Sequence, residues 1–134
     1  MAELRLEAKR DNLSQLQEFL DTTLMELGCP MKLVIPLQIA AEEIYINIAS
    51  YAYEGGEGSA TILADKVDGQ VRLQFIDQGT PYDPLAREDP DVTLSAEERP
   101  IGGLGIYMVK KSMDDVTYEY RDGSNILTLW KRIA

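Results

Sequence analysis

The chain has no histidine and a single cysteine, Cys29. Without histidine there is no histidine general base, no Ser-His-Asp triad and no histidine metal ligand, so proton transfer near pH 7 falls to a carboxylate, lysine, tyrosine or water. One cysteine makes no internal disulfide, which suits a reducing cytoplasm, the expected location. In the Gly28-Cys29-Pro30 loop it reads as a small packed residue rather than a reactive thiol. No apolar run approaches the ~20 residues that span a bilayer. Met1–Glu7 has no apolar h-region, so no signal peptide is expected. Basic residues are few: 13 Lys and Arg stand against 23 Asp and Glu, for a net charge of −10. Nucleic-acid phosphates and anionic membranes would be repelled, and neither is an expected partner. An acidic chain still binds ATP where backbone N–H groups and a metal ion handle the phosphates.

What is present fits one domain with a real core: 134 residues, 45% of them apolar, without repeat or linker. Leu4, Leu6 and Ala8 alternate with Arg5 and Glu7, the pattern of a strand. Leu13, Leu16, Phe19, Leu20 and Leu24 recur at helical spacing over about Asn12–Leu27, and Gly28-Cys29-Pro30 stops that helix. A second helix is predicted over about Lys32–Tyr53, with Leu37, Ala40, Ala41, Ile44 and Ile48 inward; it either begins near Pro36 or bends there. Asp68-Gly69 predicts a hairpin between strands near Ala60–Val67 and Val71–Asp77. Asp122-Gly123 predicts another, between about Val116–Arg121 and Asn125–Lys131, after a short helix near Leu104–Met113. The expected fold is α+β, a two-layer sandwich of a mostly antiparallel mixed sheet with helices on one face.

Three polar clusters interrupt this framework. Glu43 and Asn47 lie four residues apart on the second helix and share a face, with Tyr51 and Glu54 continuing it. An Asn carbonyl oxygen is a hard neutral ligand suited to Mg²⁺, and a Glu one turn away can accept a hydroxyl proton. The same spacing also reads as a solvated polar face with a capping Asn. Val71, Leu73 and Phe75 alternate until Asp77-Gln78-Gly79 breaks the pattern. A carboxylate at a strand end can accept an adenine amino group and Gly79 can admit a purine, although Asp and Gly are also ordinary turn residues. Gly102-Gly103-Leu104-Gly105 opens the third helix, where exposed N–H groups and the helix dipole favour phosphate; a hinge is the other reading. No Gly-Lys-Ser/Thr follows, so this is not a P-loop. Between the last two clusters, about residues 80–101 form a long stretch with four prolines, expected to be a lid.

The order Glu-x3-Asn, Asp-x-Gly, long loop, Gly-Gly-x-Gly resembles the N, G1 and G2 boxes of the GHKL, or histidine-kinase-like, ATPases. Within them the chain is most similar to bacterial anti-sigma-factor serine/threonine kinases, through Glu42–Asn47, Tyr51–Glu54, Asp77–Pro84 and Glu98–Tyr107. The resemblance covers nearly the whole chain. It implies the Bergerat-type ATP-binding fold, with ATP and Mg²⁺ as cofactors. It implies Glu43 as catalytic base, Asn47 as metal ligand and Asp77 with Gly79 at adenine. Gly102, Gly103, Leu104 and Gly105 would form the phosphate turn, Arg99 would reach the γ-phosphate, and Asn125 would lie beside adenine. Position 81 is Pro where the wider superfamily has a third G1 residue, Gly, which fits the anti-sigma branch. The lack of histidine rules out a complete sensor histidine kinase. The implied activity is phosphorylation of a Ser or Thr on a small anti-anti-sigma antagonist protein, with sequestration of a sigma factor and homodimerisation. The alternative is an ATP-binding switch or sequestration module without kinase activity.

Overall fold

The computed structural model describes residues 1–53, 56–86 and 104–133. Among these residues five strands form one sheet: β1 (Ala2–Glu7), β2 (Ser59–Val67), β3 (Gln70–Asp77), β4 (Asp115–Arg121) and β5 (Ser124–Arg132). Their order is β1-β2-β3-β5-β4, and every pairing among the described residues is antiparallel. The expected α+β fold with a mostly antiparallel sheet holds; only its mixed character is corrected, since the described pairings are all antiparallel. Both Asp-Gly turns place their two residues at positive φ, 50° and 79° at Asp68 and Gly69, 53° and 80° at Asp122 and Gly123. That handedness matches the twist of the flanking strands, which explains why these dipeptides mark the hairpins.

Among the described residues three α-helices cover one face: α1 (Leu13–Glu26), α2 (Met31–Asn47) and α3 (Leu104–Ser112). α1 buries Leu16, Leu20 and Leu24 at helical spacing. It ends as a left-handed cap, with Gly28 at φ 81°, its N–H bonded to Met25 O and the Cys29 N–H bonded to Leu24 O. The two bonds satisfy carbonyls that the helix end would leave open, and glycine takes that φ without strain. α2 begins at Met31 and runs through Pro36. The ring removes one helix bond, to the carbonyl four residues back, which belongs to Lys32 in the exposed first turn where water can serve it.

α2 continues into a π turn, Ile48–Ala52. Together they form 22 residues long and apolar enough, by length and composition alone, to cross a membrane. Lys32, Glu42 and Glu43 interrupt this stretch, so it holds no unbroken apolar run of that length. The inner face of α2 nonetheless packs in the core, with Leu37, Ala40, Ala41, Ile44, Tyr45 and Ile48 against Ala60, Ile62, Leu73 and Phe75 in a single buried cluster. Fully burying a side chain such as Leu37 contributes about 1.5–3 kcal/mol. Tyr45 is fully buried, and its hydroxyl lies 2.9 and 2.8 Å from the Glu7 and Lys9 carbonyls, tying α2 to the end of β1. Burial pushes this phenol's pKa up.

Candidate functional site

Strand parity places the first site residue. Val71, Leu73 and Phe75 face the helices, and Asp77, two residues further, faces the same way and is buried. The alternation therefore does not break at Asp77; it carries a carboxylate into the end of the core. Its neighbour across β3–β5 is Asn125, also buried, at the end of the Leu129-Leu127-Asn125 row. A buried carboxylate needs hydrogen bonds to offset lost hydration. Asp77 Oδ1 accepts from the Gly79 N–H at 2.9 Å and from Asn125 Nδ2 at 3.0 Å. The second oxygen, Oδ2, has no hydrogen bond among the described residues, and Asp77 lines a cavity of about 560 Å³.

Asn125 holds this corner together. Its amide nitrogen also reaches the carbonyls of Gly79 at 3.3 Å and Thr80 at 3.1 Å. Its oxygen accepts from the Tyr82 N–H at 3.1 Å and from the Tyr118 hydroxyl. One side chain thus joins β3, β4, β5 and the loop leaving β3. Its donors and its acceptor are engaged by protein, so it bears on a ligand chiefly through Asp77. Burial pushes the Tyr118 phenol's pKa up.

Packing against protein by itself requires a glycine at position 79. A Cβ there would stand 2.2 Å from the Ala52 carbonyl oxygen, and the next N–H, of Thr80, bonds that oxygen at 2.8 Å. The π turn at the end of α2 brings the carbonyl there; such wide turns recur at functional sites. Tyr53 braces the same junction, its hydroxyl accepting the Gln78 N–H at 2.9 Å and donating to the Ser59 carbonyl.

At the other end of the cavity stand Glu43, Asn47 and Gly105. The Asn47 amide nitrogen donates to the Glu43 carbonyl at 3.0 Å, which leaves its oxygen as the atom open to a ligand. Gly105, in the first turn of α3, lies so close to Glu43 that a Cβ would meet Oε2 at 2.2 Å. The shared helix face and the glycine turn, distant in sequence, therefore meet. Among the described residues no group of three or more acidic or cysteine side chains could hold a metal. A magnesium ion would rest here on Asn47 and on oxygens that the nucleotide brings. The donor set fits that use: one neutral oxygen, one nearby carboxylate and a gap that only glycine leaves open.

Between the two ends the walls are Ile44, Ile48, Phe75, Ile106 and Leu127, with Tyr51, Pro81, Tyr82, Pro84 and Tyr118 also lining the cavity. Tyr51 was placed on the Glu43 stripe by spacing. Ile44, Pro81, Tyr82, Pro84 and Ile106 fall inside the segments that carry the family resemblance, and Ile48 lies on the inward face expected of α2; Phe75, Tyr118 and Leu127 carry no motif, and strand parity alone assigns Phe75 and Leu127 to the inner face. Residues 80–86 of the expected lid line the cavity or lie beside it, with Pro84–Ala86 forming a 3-10 turn. The remainder of the lid (87–101), Glu54, Arg99, Gly102 and Gly103 lie outside the described residues, as does the Leu104 side chain.

Comparison with known proteins agrees with this geometry. Residues 6–131 match the histidine kinase-like ATPase domain family. The serine/threonine-protein kinase BtrW of Bordetella bronchiseptica is 32% identical over 104 residues, covering 77% of this chain and 73% of that one. The serine-protein kinase RsbW of Listeria monocytogenes is 29% identical over 129 residues, 92% of this chain and 82% of the relative. Among solved structures, the RsbU and RsbW domains of a Mycobacterium tuberculosis protein superpose with a TM-score of 0.66 at 19% identity, covering 99% of this chain and 33% of that one. The Acinetobacter baumannii histidine kinase AdeS gives 0.52 at 13% identity, over 99% of this chain and 69% of the other. These two speak for the fold alone. With a family match over almost its full length, a cavity between α2, α3 and the sheet, and serine-protein kinases among its relatives, the chain belongs to the histidine kinase-like ATPase domain family.

Proposed function

We propose that this chain is an ATP-dependent protein serine/threonine kinase that phosphorylates a hydroxyl on a small anti-anti-sigma antagonist protein and sequesters a sigma factor. The observation that carries the reading is the meeting of Glu43 with Gly105 at one end of a cavity whose other end is the buried Asp77. Asp77 Oδ2 accepts the adenine amino group, and Asn125 keeps that carboxylate aimed by holding Oδ1. The apolar walls take the purine. Asn47 presents its oxygen to magnesium, and Gly105, with Gly102, Gly103 and Leu104 before it, offers backbone N–H groups to the phosphates. Bound Mg·ATP supplies an electrophilic γ-phosphate. Glu43 orients the acceptor hydroxyl and takes its proton as the new P–O bond forms and the γ-phosphate's bond to the β-phosphate oxygen breaks, with ADP as the leaving group. Arg99 is assigned to charge that develops on the γ-phosphate. The protein acts in the cytoplasm as a homodimer.

The intact Glu43 favours an enzyme over a sequestration module, since a module that only binds has no use for a base. The test pairs calorimetry with label transfer. Folded protein should bind Mg·ATP and Mg·ADP, and γ-labelled ATP should label a purified small antagonist protein from the same genome. Absence of any heat at millimolar nucleotide defeats the ATP reading. Binding without transfer to any such acceptor supports the sequestration module instead.

A further inference from the structure

The solvent face of α2 is apolar where a surface helix is usually polar. Met31, Ile35 and Ile39 recur every fourth residue and are 77%, 66% and 54% exposed. Residues 31–41 contain no acid, in a chain with 23 of them. The next step of the same four-residue progression is Glu43. At 100° per residue, Ile39 stands about 40° from Glu43 around the helix, so the stripe leads directly to the carboxylate. On α3, Gly105 faces Glu43, and Met108, about 60° from it around the helix, is 55% exposed on that side. Two basic side chains flank this patch: exposed Lys32 on α2, and Lys111 on α3, whose ammonium lies 5.5 Å from the centre of the Tyr107 ring.

We infer that Met31, Ile35, Ile39 and Met108 form the docking surface for the phosphoacceptor protein. The inference rests on the kinase reading and names the surface that its substrate uses. The occupant is a folded protein that sets apolar side chains beside its acceptor Ser or Thr, with acidic residues at the edge facing Lys32 and Lys111. Position decides for a substrate over other covers. A second copy lying on the stripe would cap Glu43 and bar the hydroxyl from it. A bilayer covering the stripe would also have to take Glu42 and Glu43, at the cost of burying charge. A protein substrate must contact the surface around Glu43 in any case, and this is the uncharged part of it.

The test uses the full chain and the acceptor protein that takes label in the transfer assay. Ile35→Gln/Ile39→Gln, and separately Met108→Gln, should raise the KM for the acceptor about tenfold or more, the scale for losing apolar anchors at an interface. The kcat at saturating acceptor and the affinity for Mg·ATP should hold. An unchanged acceptor KM in both variants overturns the docking surface while leaving the kinase reading intact. A wild-type dimer that the α2 variant turns into a monomer on sedimentation assigns the stripe to a second copy and also overturns it. Wild-type binding to phospholipid vesicles that the variant loses assigns it to a membrane, with the same result. A wild-type chain that labels no acceptor brings down both readings.

Discussion

The two ends of the cavity are built on opposite plans. At the Asp77 end nearly every polar atom is spent on protein. Asp77 Oδ1 takes two donors, Asn125 reaches five partners, and Gly79 and Thr80 are pressed on the Ala52 carbonyl. At the Glu43 end, one bond from Asn47 to the Glu43 carbonyl is the hydrogen bond shown among the described side chains, and oxygens stand open. The first plan suits recognition of a rigid ring, because a pre-set acceptor loses little entropy when the ligand arrives. The second suits phosphoryl transfer, where the charged groups must meet a metal ion and two changing reactants. The Asp77 end is built from the sheet and the π turn, the Glu43 end from α2 and α3, so the contrast in hydrogen bonding follows the elements that each end draws on.

The largest effect should come from breaking the open end. Glu43→Gln keeps the side chain's shape and removes its proton-accepting charge. Phosphotransfer should fall ~10²–10⁴-fold, the usual range for a general base, while nucleotide affinity changes little. Paired calorimetry and transfer kinetics check this, and wild-type transfer rates in the variant would end the assignment. Breaking the closed end should look different. Gly79→Ala drives a Cβ into the Ala52 carbonyl, a backbone atom held by the π turn, so the turn or the strand end must shift. A stability loss of about 1–3 kcal/mol is expected from such overpacking, read by denaturant unfolding, together with weaker ATP binding. If Gly79→Ala unfolds like the wild type, the closed end is less rigid than its contacts imply.

The smallest change sharpens the comparison. Tyr118→Phe removes one hydroxyl bond to Asn125 and should cost about 0.5–1.5 kcal/mol at neutral pH. It should also flatten part of the alkaline limb of the stability curve. Burial raises the folded-state pKa of Tyr118, so the unfolded chain releases this proton first and stability falls as pH rises beyond ~10. Tyr45 and Cys29 are raised by burial in the same direction, so the loss is reduced in the variant rather than abolished. Equal alkaline slopes in Tyr118→Phe and wild type would remove Tyr118 from this account.

The sequence by itself determined the elements and the inventory of chemistry. Period-two and helical patterns placed the strands and helices within a few residues, because each pattern reports which face is buried. The Asp-Gly pairs marked both hairpins, because those residues tolerate positive φ at little cost. The absence of histidine and the Glu43, Asn47, Asp77 and Gly105 clusters were legible as local chemistry. Tertiary structure decided which clusters meet and what packs against each. Spacing could not say that Gly79 is glycine because of Ala52, or that Asn125 steadies Asp77, because those partners lie 27 and 48 residues away along the chain. The start of α2 was open for a similar reason: Pro36 argued locally for a boundary, yet packing of Leu37 and Ala40 on the sheet carries the helix through it. Nor could spacing bring Gly105 against Glu43. That contact exists because the buried faces of α2 and α3 compete for the same side of one sheet, and the hydrophobic burial that seats both helices leaves the cavity between their polar ends.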